Sequence, residues 1–184
     1  MDRELWRVMR TSGPHVLPWG LTRRYGPLTQ MRWDPHPAPR GEHVDVGVLY
    51  AALDITTTLA EAFAATRCVE TTAGNPHLVS WVPTRPLRLL DLTGGWALRN
   101  RAAHSLAGAT KDTCRSWARE ICTAFADLDG LCAVSTMTGH PSIVLFARAE
   151  DSIPDSPATS RPLTDPTVLL VLSVAAAEIG YSLL

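Results

Sequence analysis

One glutamate, Glu61, lies on a predicted helix whose surface around it is built of small side chains. Residues 55–67 place Leu59 and Phe63 at helical spacing, and at about 100° per residue Glu61 lies nearly opposite that pair. Threonine and alanine neighbours leave room for a ligand, and a carboxylate so placed can stabilise developing positive charge or bind hydroxyl groups. Two structural alternatives stay open: a solvated helix residue and a capping-box partner of Thr58.

Arginines and polar residues at strand ends supply further chemistry. Arg32 precedes Trp33 in MRWDPH, a pair suited to an anion or a flat ring, because an arginine fork can bind phosphate oxygens bidentately. Pairing of Arg32 with Asp34 or Asp45 is an equally good alternative. Three further polar side chains lie in or at the ends of predicted strands: Arg7, Tyr50 and Ser135.

The elements that must position these residues begin with two strands and a long loop. Residues 5–10 and residues 48–51 predict strands, and Asp54 is a good N-cap for the helix over residues 55–67. Residues 11–44 carry six prolines and four glycines together with three large aromatics. Because that composition can bury area, we predict an ordered, functional loop rather than a disordered one.

The rest of the chain predicts a sheet covered by helices. Strands are predicted over residues 78–82, 87–92, 131–135 and 142–147. The first two form either a hairpin or two sheet edges, and the last two form an antiparallel pair. Helices are predicted over residues 96–106, 112–126 and about 165–180, the last after a proline- and serine-rich connector at residues 152–162. We expect one α+β domain over residues 1–184 with a mostly antiparallel sheet and flanking helices.

Composition favours a globular protein without a polyanion partner. The 184 residues carry 17 basic and 18 acidic side chains, a net charge of −1, so direct nucleic-acid binding and an anionic membrane surface are not expected. The four cysteines form no C-x-x-C pair, which favours a reduced intracellular protein over a zinc site. Residues 1–10 lack a signal-peptide core, and no apolar run is long enough for a bilayer. We predict a cytoplasmic protein with no metal.

Several catalytic motifs are absent from the sequence. It contains no G-x-G-x-x-G after a strand, no P-loop, no H-E-x-x-H and no G-x-S-x-G. Dinucleotide-fold redox chemistry, P-loop phosphoryl transfer, and zincin and esterase activities therefore lack their motif.

Short segments in a shared order resemble the RES-domain family, named for its Arg, Glu and Ser. These segments span most of the chain: LWR, YGPL, RWDPH, VLYAALDITTTLAEAF, LRLLDLTG, SWARE, DLDGLCAVS and SIVLFARAE. No single segment is specific, but their order is. Members are toxins of bacterial toxin–antitoxin pairs and act with an Xre-type antitoxin. The sequence departs from the family at Met31, where many members have glycine.

The resemblance implies a split sheet similar to that of ADP-ribosyltransferases, and cleavage of NAD+ by hydrolysis or phosphorolysis. It implies three catalytic residues, Glu61, Arg32 and Ser135, with Arg7 and Tyr50 binding the substrate. Trp33, beside Arg32, is a further candidate for substrate binding. NAD+ is then a substrate, inorganic phosphate is an optional co-substrate, and no cofactor is expected. The expected partner is an Xre-type antitoxin that blocks the active site, since the four residues after Gly180 are too few to do so. A homodimer stays open. The alternatives are ADP-ribosyl transfer to a protein and a non-catalytic module that binds a nucleotide or peptide.

The residue types suit that chemistry. Cleavage of the nicotinamide–ribose bond passes through an oxocarbenium-like sugar, whose charge Glu61 would stabilise. The pyrophosphate calls for an arginine fork, which Arg32 and Arg7 would supply. The nicotinamide calls for an aromatic wall and a hydroxyl donor, which Tyr50 and Ser135 would supply.

Overall fold

The computed structural model describes residues 3–184, without the side chain of His104, and contains one large sheet with helices. The strands are β1 (Leu5–Arg10), β2 (Tyr25–Gly26), β3 (Gly41–Glu42), β4 (Val48–Ala52), β5 (Cys68–Val69), β6 (Pro76–Trp81), β7 (Leu89–Asp91), β8 (Gly130–Val134), β9 (Pro141–Phe146), β10 (Thr159–Pro162) and β11 (Ser182–Leu183). The helices are α1 (Ile55–Ala62), α2 (Trp96–Arg99), α3 (Lys111–Ala124) and α4 (Pro166–Glu178), and 3₁₀ turns occupy His104–Gly108 and Ala147–Ser152.

The large sheet has seven strands in the order β10-β6-β1-β4-β9-β8-β7. Neighbouring strands are antiparallel except β7 and β8, which are parallel. The predicted fold class, one α+β domain with a mostly antiparallel sheet and flanking helices, is confirmed.

The sheet is nearly divided between β1 and β4. These strands share one residue pair, Trp6 with Ala52, whereas β1 shares six pairs with β6 and β4 shares five with β9. From Arg7 onward β1 therefore has an edge that β4 does not pair. An unpaired strand edge in the middle of a sheet leaves a cleft where backbone and side chains from both halves can meet a ligand.

Two separate helical layers cover the same face of the sheet. Under α1 and α4, Trp6 and Val8 of β1 pack into a core that contains Leu59 and Leu172. Under α3, the β4–β9–β8 half packs into another core, which includes Val48, Phe146, Leu131 and Ile121, with Tyr50 at its border. The cleft between β1 and β4 thus lies where one helical layer ends and the other begins.

Helix α1 begins where predicted but ends earlier. The Asp54 carboxylate accepts hydrogen bonds from the Thr57 backbone amide at 2.6 Å and the Thr57 hydroxyl at 2.9 Å, so the predicted N-cap is confirmed. The predicted end near residue 67 is wrong, because the helix stops at Ala62 and residues 63–67 form turns, with Arg67 at φ +51°. The chain must leave the helix there to place β5 beside β11, and the Tyr181 hydroxyl donates to the Ala60 carbonyl in the last turn.

The remaining elements agree with the sequence to different degrees. The β8–β9 antiparallel pair and helices α3 and α4 are confirmed, the last with Asp165 as N-cap. The strands predicted at 78–82 and 87–92 are not a hairpin, since β7 is one edge of the sheet and β6 lies near the other. The single helix expected over residues 96–106 is instead α2 followed by a 3₁₀ turn, and the expected connector contains β10. No helix in the described part of the chain is long and apolar enough to cross a membrane.

Candidate active site

Glu61 and Ser135 meet across the divided sheet. The Ser135 hydroxyl donates a hydrogen bond to Glu61 Oε1 at 2.5 Å. Glu61 lies in the last turn of α1, above one half of the sheet, and Ser135 directly follows β8 in the other half. This contact therefore joins two residues that the sequence separates by 74 positions, and it lies where the two halves of the fold face each other.

The Ser135 hydroxyl has a fixed orientation. Its oxygen accepts hydrogen bonds from the backbone amides of Met137 at 3.1 Å and Thr138 at 3.3 Å, and the residue is 2% exposed. Because the oxygen already accepts two amides, its single proton is directed to Glu61. The tight turn between β8 and β9 thus fixes Ser135 as a donor to the carboxylate.

Interactions that stabilise the helix do not explain why a glutamate occupies position 61. A carboxylate in the last turn of a helix is disfavoured by the negative end of the helix dipole. No cation pairs with Glu61 among the ion pairs of residues 3–184. The capping-box alternative is wrong, because Thr58 lies inside the helix and donates to the Asp54 carbonyl at 2.8 Å. Glu61 is exposed, as a solvated residue would be, but among the described residues its one side-chain hydrogen-bond partner is Ser135.

Tyr50 lies in β4 beside the cleft. Its ring is half-buried, and its hydroxyl is buried without a partner in hydrogen-bonding geometry, although the Trp33 amide is close enough to influence it. Burial raises the pKa of Tyr50 well above its usual range, and the carboxylates of Asp34 and, to a smaller extent, Glu61 act in the same direction. The phenol is therefore a neutral hydrogen-bond donor at any physiological pH.

Arg7 is the first residue of β1 beyond the junction with β4. Its Nε is buried without a hydrogen-bond partner, and no carboxylate pairs with it among the described residues. Burial lowers the pKa of Arg7 to about 10, so the guanidinium stays protonated near neutral pH. Arg7 lines a cavity of about 290 Å³ together with Ala62 and Phe63, the two residues that follow Glu61. An unpaired, partly desolvated cation thus lies beside the end of the helix that carries Glu61.

Arg32 lies at the border of α3. Its Nη1 donates to the Ala109 carbonyl and lies 3.7 Å from the Cys114 sulfur. The alternative that Arg32 pairs with Asp34 is wrong, because Asp34 binds Arg23 at 2.9 Å and the ring of His36 at 2.5 Å. Asp45 forms no ion pair in the described part of the chain. Across residues 3–184, Arg32 therefore pairs with no carboxylate, and no hydrogen bond joins it to Glu61 or Ser135.

Trp33 is a core residue. It is 4% exposed and packs in the cluster under α3. Its contact with the substrate stays a prediction. In the structure, its buried ring anchors the loop that carries Arg32 and Asp34.

Sequence reasoning missed the importance of Asp34. Its carboxylate is fully buried and accepts hydrogen bonds from the Arg23 guanidinium, the Leu28 amide, the His36 amide and the His36 ring. Four donors on one buried carboxylate hold its pKa well below its usual range against the opposing effect of burial. The D-x-H spacing in MRWDPH was the available signal. Asp34 thus fixes the loop that carries Arg32 and Trp33.

No three His, Cys, Asp or Glu residues within the described range come close enough to hold a metal ion. The four cysteines are free thiols, and burial raises the pKa of Cys114, Cys122 and Cys132. Within residues 3–184, no hydrogen bond joins a thiol to Glu61 or Ser135.

In fold, the molecule is a small α+β domain of the kind found in a solved toxin–antitoxin complex. A chain in the crystal structure of the M. tuberculosis MbcT–MbcA toxin–antitoxin complex matches with a TM-score of 0.58 and 17% identity, covering 96% of this chain and 90% of that chain. At this identity the likeness establishes the fold alone. The chain belongs to the RES-domain family, whose model matches residues 4–167. Comparison with curated protein sequences gave no match.

Proposed function

We propose that this protein is the toxin of a toxin–antitoxin pair and that it cleaves the nicotinamide–ribose bond of NAD+. The observation that carries the proposal is the Glu61–Ser135 hydrogen bond across the divided sheet. Arg7, on the edge of β1 that β4 leaves unpaired, lines a cavity together with Ala62 and Phe63, the residues that follow Glu61. Two findings support the toxin assignment: membership of the RES-domain family, and a fold shared with a chain of a solved toxin–antitoxin complex. The proposed site is the cleft between β1 and β4, covered by the end of α1.

Glu61 acts on the ribose in this mechanism. As the bond from ribose C1′ to nicotinamide breaks, its electron pair leaves with the nicotinamide nitrogen, and positive charge develops on the sugar. The ionised Glu61 carboxylate stabilises that charge, and the hydrogen bond from Ser135 fixes its direction. An acceptor then adds to C1′: water gives ADP-ribose and a proton, and phosphate gives a phosphorylated ADP-ribose.

The cations of the site bind the other part of the substrate. Among the described residues, Arg7 has a buried Nε without a hydrogen-bond partner and Arg32 pairs with no carboxylate, so both can bind pyrophosphate oxygens. Tyr50 holds a neutral, buried hydroxyl beside the cleft that forms no hydrogen bond within the described residues, and such a group suits the nicotinamide amide. Buried polar atoms without partners are rare in folded proteins, and two of the five among residues 3–184 belong to Arg7 and Tyr50.

An assay of the purified protein with NAD+ tests the reaction directly. Products are identified by mass after incubation with and without inorganic phosphate. Free nicotinamide with ADP-ribose indicates hydrolysis, and a phosphate-dependent product indicates phosphorolysis. Nicotinamide release together with ADP-ribose attached to protein would instead indicate ADP-ribosyl transfer. NAD+ binding without turnover would indicate a non-catalytic binding module.

We further propose that an Xre-type antitoxin restrains this activity in the cytoplasm by covering the cleft. An acidic or carboxylate-bearing tip suits the site, because Arg7 and Arg32 have no carboxylate partners among the described residues. The MbcT–MbcA structure is itself a toxin–antitoxin complex.

Expression in cells tests this restraint. Without antitoxin, the protein is expected to arrest growth and deplete NAD+, and co-expression of the antitoxin is expected to reverse both. NAD+ concentration and growth are measured together, with the Glu61→Gln variant as the inactive control. Unchanged NAD+ in cells that contain the intact, folded protein would contradict the toxin assignment.

A further inference from the structure

A buried arginine on α3, Arg115, holds the loop that carries Arg32. Arg115 is 6% exposed, and its Nη1 donates to the carbonyls of Thr29 at 2.8 Å and Met31 at 3.1 Å. The Met31 carbonyl belongs to the peptide bond that leads into Arg32. By holding the Met31 carbonyl, Arg115 therefore fixes the orientation of the peptide bond from which the Arg32 backbone continues.

The same end of α3 also binds the Arg32 side chain. The Arg32 guanidinium donates to the Ala109 carbonyl and contacts the sulfur of Cys114, the neighbour of Arg115. The Cys114 sulfur is held in turn, as it donates to the Leu106 carbonyl at 3.2 Å. The start of α3 and the turn before it thus fix Arg32 twice, at the backbone before it and at its guanidinium.

The ion pair of Arg115 does not explain its burial. Its Nη2 binds Asp112 three residues earlier, but the Asp112 side chain is 88% exposed, and such pairs contribute about 1 kcal/mol or less. Desolvation of a guanidinium costs several times that amount unless hydrogen bonds replace the lost water. In this chain those replacements are two loop carbonyls, so the buried contacts of Arg115 are directed at the loop.

We propose that Arg115 is a positioning residue for Arg32, through which α3 sets substrate affinity. The inference rests on the proposed function, in which Arg32 binds the pyrophosphate of NAD+. Arg115 itself does not touch the substrate in this scheme. Its loss lets residues 29–32 move, and a displacement of about 1 Å at a binding group is enough to cost up to ~10²-fold.

A double-mutant cycle tests the coupling. KM and kcat for NAD+ are measured for Arg115→Met, Arg32→Ala and the double variant. Arg115→Met is expected to raise KM ~10-fold or more while kcat changes little, and to have no further effect on KM when Arg32 is already alanine, because interacting residues are not additive. Arg115→Lys, which can donate to both carbonyls, is expected to restore part of the affinity.

Arg119 supplies the matched control on the same helix. It lies one turn further along α3, and within the described part of the chain its side chain donates only to Ser116 of that helix, at 3.0 Å. Arg119→Met is expected to leave KM unchanged. Equal effects of Arg115→Met in the presence and absence of Arg32 would overturn the inference, since a merely structural role gives additive losses.

Hydrogen exchange separates this inference from the proposed function. If the wild-type protein does not cleave NAD+, the proposed function fails, and exchange at the amides of residues 29–33 then decides the positioning role. Arg115→Met is expected to accelerate exchange there by ~10-fold or more relative to Arg119→Met, with the sheet unaffected. Unchanged exchange in residues 29–33 overturns the positioning role, whatever the activity.

Discussion

Replacing Glu61 with glutamine is expected to leave the protein folded and to lower the rate of NAD+ cleavage ~10²- to 10³-fold. Glutamine preserves the shape, and its amide oxygen can still accept the hydrogen bond from Ser135, but the charge that stabilises the developing cation is lost. Folding should not suffer, because Glu61 is exposed and lies at the unfavourable end of the dipole of α1. The thermal midpoint is therefore expected to stay the same or rise slightly.

Glu178 provides a close control for this experiment. It is also the exposed glutamate of a last helical turn, in α4, and it also accepts a hydrogen bond from a hydroxyl, that of Thr56 at 2.9 Å. Glu178→Gln makes the same chemical change away from the cleft and is expected to leave cleavage unchanged. Near-normal turnover by folded Glu61→Gln would remove Glu61 from the mechanism.

The sequence predicted those elements whose signals are local. Asp54 is a side-chain cap that identifies the start of α1, and apolar runs identify α4, β1, β4 and the β8–β9 pair. These elements carry Arg7, Tyr50, Glu61 and Ser135. The sequence could therefore place each candidate on the right element without knowing the distances between them.

Elements determined by distant contacts were not predictable in this way. The residues after Ala62 have helical propensity, but β5 must pair with β11, which lies more than 100 positions away, so α1 ends early. Strand β10 contains Pro162 and lies at an edge of the sheet. Its proline- and serine-rich sequence does not predict a strand, and pairing with β6 makes it one. Tertiary pairing overrode propensity in both cases.

The site itself was only partly accessible from sequence. The order of short motifs selected Glu61 and Ser135, which the structure brings into contact, but nothing in the sequence indicated that Arg32 would lie against the start of α3. Arg115 was hidden as well, because an arginine on an otherwise amphipathic helix looks like a surface charge until its carbonyl partners are known.

Replacing Arg7 with methionine is expected to change activity and stability in opposite directions. The folded-state pKa of Arg7, about 10, lies well below the ordinary value of an arginine because the guanidinium is desolvated. A base whose pKa is lowered on folding destabilises the folded state at every pH below that pKa, and the penalty is relieved only as the pH rises above about 10. At neutral pH the full penalty is present, and no carboxylate among the described residues offsets it.

Methionine fills a similar volume without the charge, so Arg7→Met is expected to raise the free energy of unfolding by up to about 3 kcal/mol at pH 7. The same change removes a cation that binds the pyrophosphate, and kcat/KM for NAD+ is expected to fall on the order of 10²-fold. Urea unfolding and steady-state kinetics measure the two effects on one preparation.

Arg88→Met is the control, since Arg88 and its partner Asp127 are both 69% exposed and their pair should contribute little. If Arg7→Met unfolds at higher urea concentration but is less active, the protein keeps a destabilising buried charge because it binds the ligand, as expected where binding conflicts with stability. Loss of both properties would instead make Arg7 a structural residue and leave Arg32 as the cation for the pyrophosphate.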